Sequence, residues 1–554
     1  MFRLACVCIL TALTSMSPLL AQGNKDKKPA SDIGWQATGK SGAVSGGGSE
    51  AVAAGLTILQ QGGNAADGAV ATILALTVTD SERVCFGGEV PIMVYDAKRN
   101  VVEVICGLGT APRLATREHF EKKRGGIPAK GFESAAVPGL LDGCVTALDR
   151  CGTITFAEAA APTLAILDRH EKPWHADLAS TLRRLSDAEK QAGGERKRGL
   201  RHVADCFYRG PIAKELSAWS EANGGLLRYT DLATHVTRVE DPLSVDYRGY
   251  TVYKTGAWNQ GPYLLQTLRL LETFDLKKMG HNQPDTIHVM AEAMKLALAD
   301  RDAYYADPLF VDVPTDALLS KKYAELRRPL IDMKKASLVR QPGDPRNMRA
   351  ILDKPPLEVG DGGPGKDTTT CVVADKWGNV VAATPSGFHG VIAGKTGVQL
   401  GTRLQSFNTW KGHPNCIEPG KRPRITLTPG IILKEGKPLL AISVAGGDLQ
   451  DQTALQVIVN CIDHGMTPAE AVTAVRFATK HHLGSFRQAP PELGSLLLYP
   501  ETAKATISDL AARGHKITMS QKHLAEPSVI VIDQKTGVLN AAGDPRAKRH
   551  SAAY

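Results

Sequence analysis

Strands that arrive in adjacent pairs constrain this chain more than any other feature. PIMVY and VVEVI flank the turn DAKRN, and TTTCVVA and VVAATPS flank DKWGN. GIILK and PLLAISVA flank a turn near Gly436, and SVIVID is followed by KTG and VLNAA. Each pairs β-branched or apolar runs across turn-forming residues, the pattern of a hairpin. A hairpin sheet needs an apolar cover, and helical segments supply it. Residues 49–61 form one, stopped by Gly62 and Gly63, and a second runs from near Asn64 to about Thr79. Residues 284–304 carry Ile287, Met290, Met294 and Leu298 on one stripe. Ala454, Val457, Ile458, Cys461 and Ile462 mark another helical face, ended by Gly465. Thr467-Pro468-Ala469-Glu470 reads as a capping box opening the next helix. The expected class is α/β (α+β): sheets between helix layers, in one intertwined globule.

With 554 residues, more than one structural lobe is expected. Arg3, the apolar run Leu4–Leu20 and the small Ala21 resemble a cleaved export signal over residues 1–21. The polar stretch after it argues against a retained anchor, so the expectation is an exported protein, periplasmic or secreted, with no membrane span. The formal charge of +9 comes with only 5% aromatics and basic residues spread along the chain, which disfavours nucleic-acid binding. The cysteines form no C-x-x-C pair and have no His-rich partner run, so no metal site is expected. Buried free thiols are the simplest reading, although Cys144 and Cys151 are close in sequence.

The region 340–367, with RQPGDPRN and VGDGGPGKD, reads as a mobile connector. Thr368 follows it at the start of a strand. A threonine there can attack the carbonyl before it, shift the peptide to an ester, and be released by water as a new N-terminus. The freed α-amine, with a reference pKa of about 7.7–8.0, can then serve as base for its own hydroxyl. Read locally, TTT is equally a β-branched strand start. Gly446-Gly447 lie between the strand LLAISVA and a helix beginning near Asp448. Backbone N–H groups at such a turn can receive a developing oxyanion, although the same pair also suits an ordinary strand-to-helix turn. GVIAGKT at 390–396 is not a phosphate loop, because His389 stands where the motif needs glycine.

Taken together, ILQQGGNAADGAVA, ESAAVPG, LADRDAYYADP, DTTTCVVADKWGN, GKRPRITLTP, GGD at 446–448 and AAGDPR…Y resemble the γ-glutamyltranspeptidase (glutathione hydrolase) family over nearly all of the chain beyond the signal. The resemblance implies an αββα sandwich of the N-terminal-nucleophile hydrolase type, self-cleavage into two subunits that stay together, and no cofactor. It implies Thr368 as nucleophile, Ser386 as its supporting hydroxyl, and Gly446 and Gly447 as oxyanion donors. The large subunit would cover 22–367 and the small one 368–554.

The substrate pocket departs from the family's pattern. Leu108 stands where the family has an arginine for the γ-glutamyl carboxylate, with Arg113 only a neighbour. Arg403 and Ser406 replace the acidic and amide residues for the α-amine. Phe388 stands for an asparagine, and Ile425-Thr426 for a serine pair. A cation where an ammonium binds argues against ordinary glutathione handling and for an anion near Arg403. The block GHPN…PGKRP with GGDLQDQ looks closer to a divergent acylase and amidohydrolase branch. The expected activity is hydrolysis or transfer on γ-glutamyl or other small amides, with a catalytically silent binding homologue as the rival.

Overall fold

A computed structural model describes residues 33–124, 126–353, 358–363, 368–387 and 390–554. The expected signal, Asp367 and Phe388 fall outside the described residues. Two seven-stranded sheets, each antiparallel between every pair of neighbours, form the centre. The strands expected from the sequence are present: Val90–Asp96 pairs with Val101–Gly107, and Cys371–Asp375 with Val380–Ala383. Gly430–Lys434 pairs with Lys437–Ala445, and Glu526–Ile532 with Leu539–Gly543.

Alternation along these strands sorts side chains into three apolar layers. Val372, Ala374, Ile431, Leu433 and Ala441 face the other sheet and fill the middle layer. Their neighbours Cys371 and Val373 face the helices Ser49–Gln60 and Ala65–Thr79. Ile432, Leu440 and Ile442 face Pro262–Leu271, Pro284–Tyr304 and Gln450–Ile462. The result is helix, sheet, sheet, helix. Asn64 caps its helix through a capping box with Asp67, and Thr467 does the same with Glu470.

Both sheets mix strands from before and after residue 368. Gly42–Gly46 lies beside Cys371–Asp375, and Tyr250–Lys254 beside Gly430–Lys434. A chain divided there would still share two sheets.

The connector is less free than its Gly/Pro content suggests. Gly343 N–H donates to the buried Asp300 (2.6 Å), Arg327 Nη1 to the Ala350 carbonyl (2.5 Å), and Asp344 and Arg349 exchange backbone hydrogen bonds. These tertiary contacts outweigh turn composition over 343–350. All eight cysteines in the described residues are free thiols. Among those residues no helix is long and apolar enough to cross a membrane.

Candidate active site

Three threonines lead into the strand Cys371–Asp375, and their hydroxyls have different partners. Thr370 Oγ1 meets Ser528 Oγ across the sandwich at 2.8 Å. Thr369 Oγ1 donates to Asp80 Oδ2 (2.5 Å) and accepts from Arg549 Nη1 (2.8 Å). Both belong to the scaffold. Thr368, only 2% exposed, lies with its Oγ1 3.3 Å from the Gln450 amide.

Gln450 opens the helix that follows the glycine pair. Its surroundings fix the orientation of the amide: the nitrogen donates to the Val444 carbonyl (2.9 Å) and the Thr426 carbonyl (2.7 Å), and the oxygen accepts from Gly447 N–H (3.3 Å). That oxygen is the end nearest Thr368, so the threonine hydroxyl donates to it. One side-chain oxygen thus touches both the Thr368 hydroxyl and a backbone donor of the turn.

The turn itself needs glycine. Gly446 has φ +138°, and a Cβ there would stand 2.8 Å from that of Ala525; Gly447 has φ +60°. Gln260 Nε2 holds the Gly447 carbonyl (3.3 Å). Buried Arg301 donates to Gln260 Oε1 (3.0 Å) and Asp448 Oδ1 (2.7 Å). Burial alone would raise the Asp448 carboxyl, but Arg301, with smaller help from His482 and Arg424, holds it well below the usual range. The backbone donors are therefore held by a buried ionic frame, the rigidity an oxyanion site requires.

Ser386 lies opposite Glu89 in an isolated antiparallel bridge, and its Oγ accepts from Arg403 Nη2 at 2.7 Å. Arg403 is 3% exposed and grips Glu89 through Nε (2.7 Å) and Nη2 (2.5 Å). This corrects the expectation of an uncompensated cation at Arg403: Glu89, distant in sequence, neutralises it. Ser406 and Thr426 are buried, and neither hydroxyl has a hydrogen-bond partner among the described residues. Leu108 is packed in the apolar layer between the sheets. Arg113 has a side chain 64% exposed, with Nε 4.0 Å from Asp231, and no contact among the described residues ties it to Thr368. Phe388 lies outside the described residues.

Gln450, Gln260, Arg301 and Asp448 were not singled out as site residues. A signal existed for Arg301: Asp300-Arg301-Asp302 follows the apolar run Leu296–Ala299 directly on one helix, and a buried charge needs a specific partner. Gln450 had no such signal, because its role depends on how the turn folds back.

One group of metal-type ligands occurs among the described residues, namely His288, Glu292 and His515. All of its ligand atoms but His515 Nδ1 are already engaged. His288 Nδ1 bonds His515 Nε2 (2.8 Å), His288 Nε2 meets the Asp332 carbonyl (2.8 Å), and Glu292 binds Lys295 Nζ (2.6 Å). The cluster is an internal hydrogen-bond network that joins helix Pro284–Tyr304 to the C-terminal segment.

The chain and its fold are similar to known proteins. The family model described as Gamma-glutamyltranspeptidase matches residues 51–169 and 165–554. The acylase ACY 1 proenzyme of Pseudomonas sp. (strain SE83) is 34% identical, covering 91% of this chain and 91% of its own. The glutathione hydrolase proenzyme of Escherichia coli (strain K12) is 31% identical, covering 98% and 95%. The crystal structure of cephalosporin acylase from Bacillus halodurans superposes with a TM-score of 0.79 at 27% identity, covering 96% of this chain and 99% of that one. A sandwich of this type, matched along nearly its whole length, makes the chain an enzyme of the γ-glutamyltranspeptidase family.

Proposed function

We propose that the chain is an exported proenzyme that cuts itself before Thr368 and then uses Thr368 to break amide bonds in small molecules. One observation carries the reading. Thr369 and Thr370 spend their hydroxyls on the scaffold, whereas the Thr368 hydroxyl meets an amide oxygen that also sits on Gly447 N–H. In that position the Gln450 oxygen mimics a scissile carbonyl: close to the nucleophile and on an oxyanion donor.

In processing, Thr368 Oγ adds to the preceding carbonyl, the C–N bond breaks, and the nitrogen takes up a proton. Water then hydrolyses the ester, leaving a carboxylate on residue 367 and a free α-amine on Thr368. In turnover that amine takes the hydroxyl proton as Oγ attacks the substrate amide. The substrate oxygen replaces the Gln450 oxygen on Gly447 N–H, and the proton passes to the leaving amine. Water frees the acid from the acyl-enzyme, or an acceptor amine takes the acyl group. Arg403, neutralised by Glu89, donates to Ser386 and fixes that hydroxyl beside the nucleophile strand.

Buried Leu108 has no fork for a γ-glutamyl carboxylate, and the exposed Arg113 has no contact with Thr368 among the described residues, which favours an amide other than a γ-glutamyl one. The purified protein should run as two bands, the smaller beginning Thr-Thr-Thr-Cys. Thr368→Ala should stay as one band and lose all turnover, while Thr368→Ser should still process. Cleavage of the alanine variant at the same bond, or an active uncut chain, would overturn the proposal.

A further inference from the structure

We propose that Gly360-Asp361-Gly362 docks on a cradle formed by Arg487 and Gln488, and that this docking holds the connector in place for self-cleavage before Thr368. The inference rests on the functional reading above and adds positioning residues for the cutting step.

The segment is held through three successive residues. Gly360 N–H donates to the Gln488 carbonyl (2.7 Å), and Gly362 N–H to the Arg487 carbonyl (3.1 Å). Between them Asp361 takes two arms of the Arg487 guanidinium, Nε at 2.8 Å on one oxygen and Nη2 on the other. The glycines are required. A Cβ on Gly360 would overlap the Arg487 carbonyl oxygen, and Gly362 has φ +76°. The cradle has a special backbone too. Arg487 and Gln488 have φ +50° and +44°, a left-handed pair without glycine, which persists only where its surroundings hold it.

The same loop is tied to the active site from two directions. Arg487 N–H donates to the Gln405 carbonyl (2.9 Å), two residues after the Arg403 that fixes Ser386. Ser485, two residues before Arg487, donates to Asp448 through its N–H (2.8 Å) and its Oγ (2.5 Å). Asp448 belongs to the frame that holds the glycine pair. Arg487 Nη1 also donates to the Ile127 carbonyl (2.8 Å), which steadies the guanidinium. A segment docked on this cradle is therefore placed relative to both Ser386 and the turn at Gly447.

Loop closure sets the size of the effect. Downstream of the bond to be cut the chain is fixed, since Thr368 is buried and Thr369 N–H donates to the Pro385 carbonyl (3.0 Å). Upstream, the last backbone hydrogen bond before the segment, among the described residues, joins Leu352 N–H to the Pro342 carbonyl (2.7 Å). Thr368 lies 16 residues beyond Leu352 but only 6 beyond Gly362. The chance that two chain ends meet falls as about the 3/2 power of the length between them, so docking raises the encounter roughly fourfold. The Asp361 carboxylate is largely exposed, which limits its own share to about twofold.

The test follows the cutting of freshly synthesised full chain, as conversion of one band to two over time on a denaturing gel. Gly360→Val should be cut roughly fourfold more slowly than wild type, and Asp361→Asn about twofold. Asp361→Glu, which keeps the charge, should lie closer to wild type than Asp361→Asn does. Salt supplies a readout that a loss of folding would not give. At about 1 M NaCl wild type should slow toward the Asp361→Asn rate, while that variant stays nearly unchanged. In the uncut Thr368→Ala background neither Gly360→Val nor Asp361→Asn should move the melting midpoint, because the segment is half-buried or exposed. Gly360→Val cut as fast as wild type, or an equal salt response in wild type and Asp361→Asn, overturns the inference and leaves the functional reading standing. A wild-type chain that stays whole sinks both.

Discussion

Arg403 and Arg424 are both buried arginines on the C-terminal side of Thr368, and their surroundings are opposite. Arg403 has Glu89 on two of its nitrogens and Ser386 on one of those. Arg424 has two nearby acids already claimed by Arg301 and Arg340. The first is part of a neutral frame; the second has no ion-pair partner among the described residues. A buried cation in a sequence can therefore be answered by the fold or left without a partner, and the sequence alone does not say which.

The largest effect should come from breaking the neutral pair. Arg403→Met leaves the Glu89 carboxylate buried and alone, which typically costs about 3–5 kcal/mol. Adding Glu89→Leu should restore most of that loss, since removing a whole buried pair is often close to neutral. Denaturant midpoints of the three proteins measure it. A single variant as stable as wild type would mean that Glu89 has another way to be satisfied.

That pair also shows how far a sequence can be read. Hairpins and covering helices were legible because they are local: Val90–Asp96 with Val101–Gly107 needs only alternation and a turn, and Asn64 with Asp67 only a capping box. Thr368, Gly446 and Gly447 are candidates on local chemistry and on the family resemblance, and Ser386 on the resemblance alone; in the structure Thr368 and Gly447 meet one Gln450 oxygen. Glu89 opposite Arg403 was not legible, being 314 residues away, and without it Arg403 read as a free charge. Arg424 lies inside the block GKRPRITLTP, but its lack of an ion-pair partner among the described residues is visible only from the packed neighbourhood of Asp302, Asp448 and Arg340. The connector misled in the other direction, because contacts such as Gly343 to Asp300 outweigh its composition.

A smaller effect should appear at His413, which reports the field of Arg424. Burial, followed by Arg424, lowers its imidazole to about 4; the Asp302 carboxylate and carbonyl act upward and Lys421 downward. Its folded pKa lies below the unfolded value near 6.5, so the unfolded chain binds more protons between them. Stability from this group is complete above about pH 6.5 and is lost as pH falls toward 4, by at most about 3 kcal/mol. In Arg424→Met the His413 titration, followed by NMR, should move upward and this acid loss should shrink. A titration that does not move would place Arg424 too far from His413 for the field described.

The smallest effect is the sharpest contrast with Arg403. Arg424→Met should leave the midpoint at neutral pH within about 1 kcal/mol of wild type, or raise it. Deleting a guanidinium normally orphans a carboxylate, but among the described residues no carboxylate lies within 4 Å of it; Asp302 keeps Arg301 and Arg340, and Asp448 keeps Arg301. What disappears is a desolvated charge repelled by Arg301, while the methionine stem retains most of the apolar contact of the arginine chain. The two terms oppose a small packing loss, so the sum lies near zero and on the stabilising side if the fit is good. A loss approaching that of Arg403→Met would show that Arg424 has a partner in the folded protein. The cation would then belong to the frame, and the contrast between the two arginines would fail.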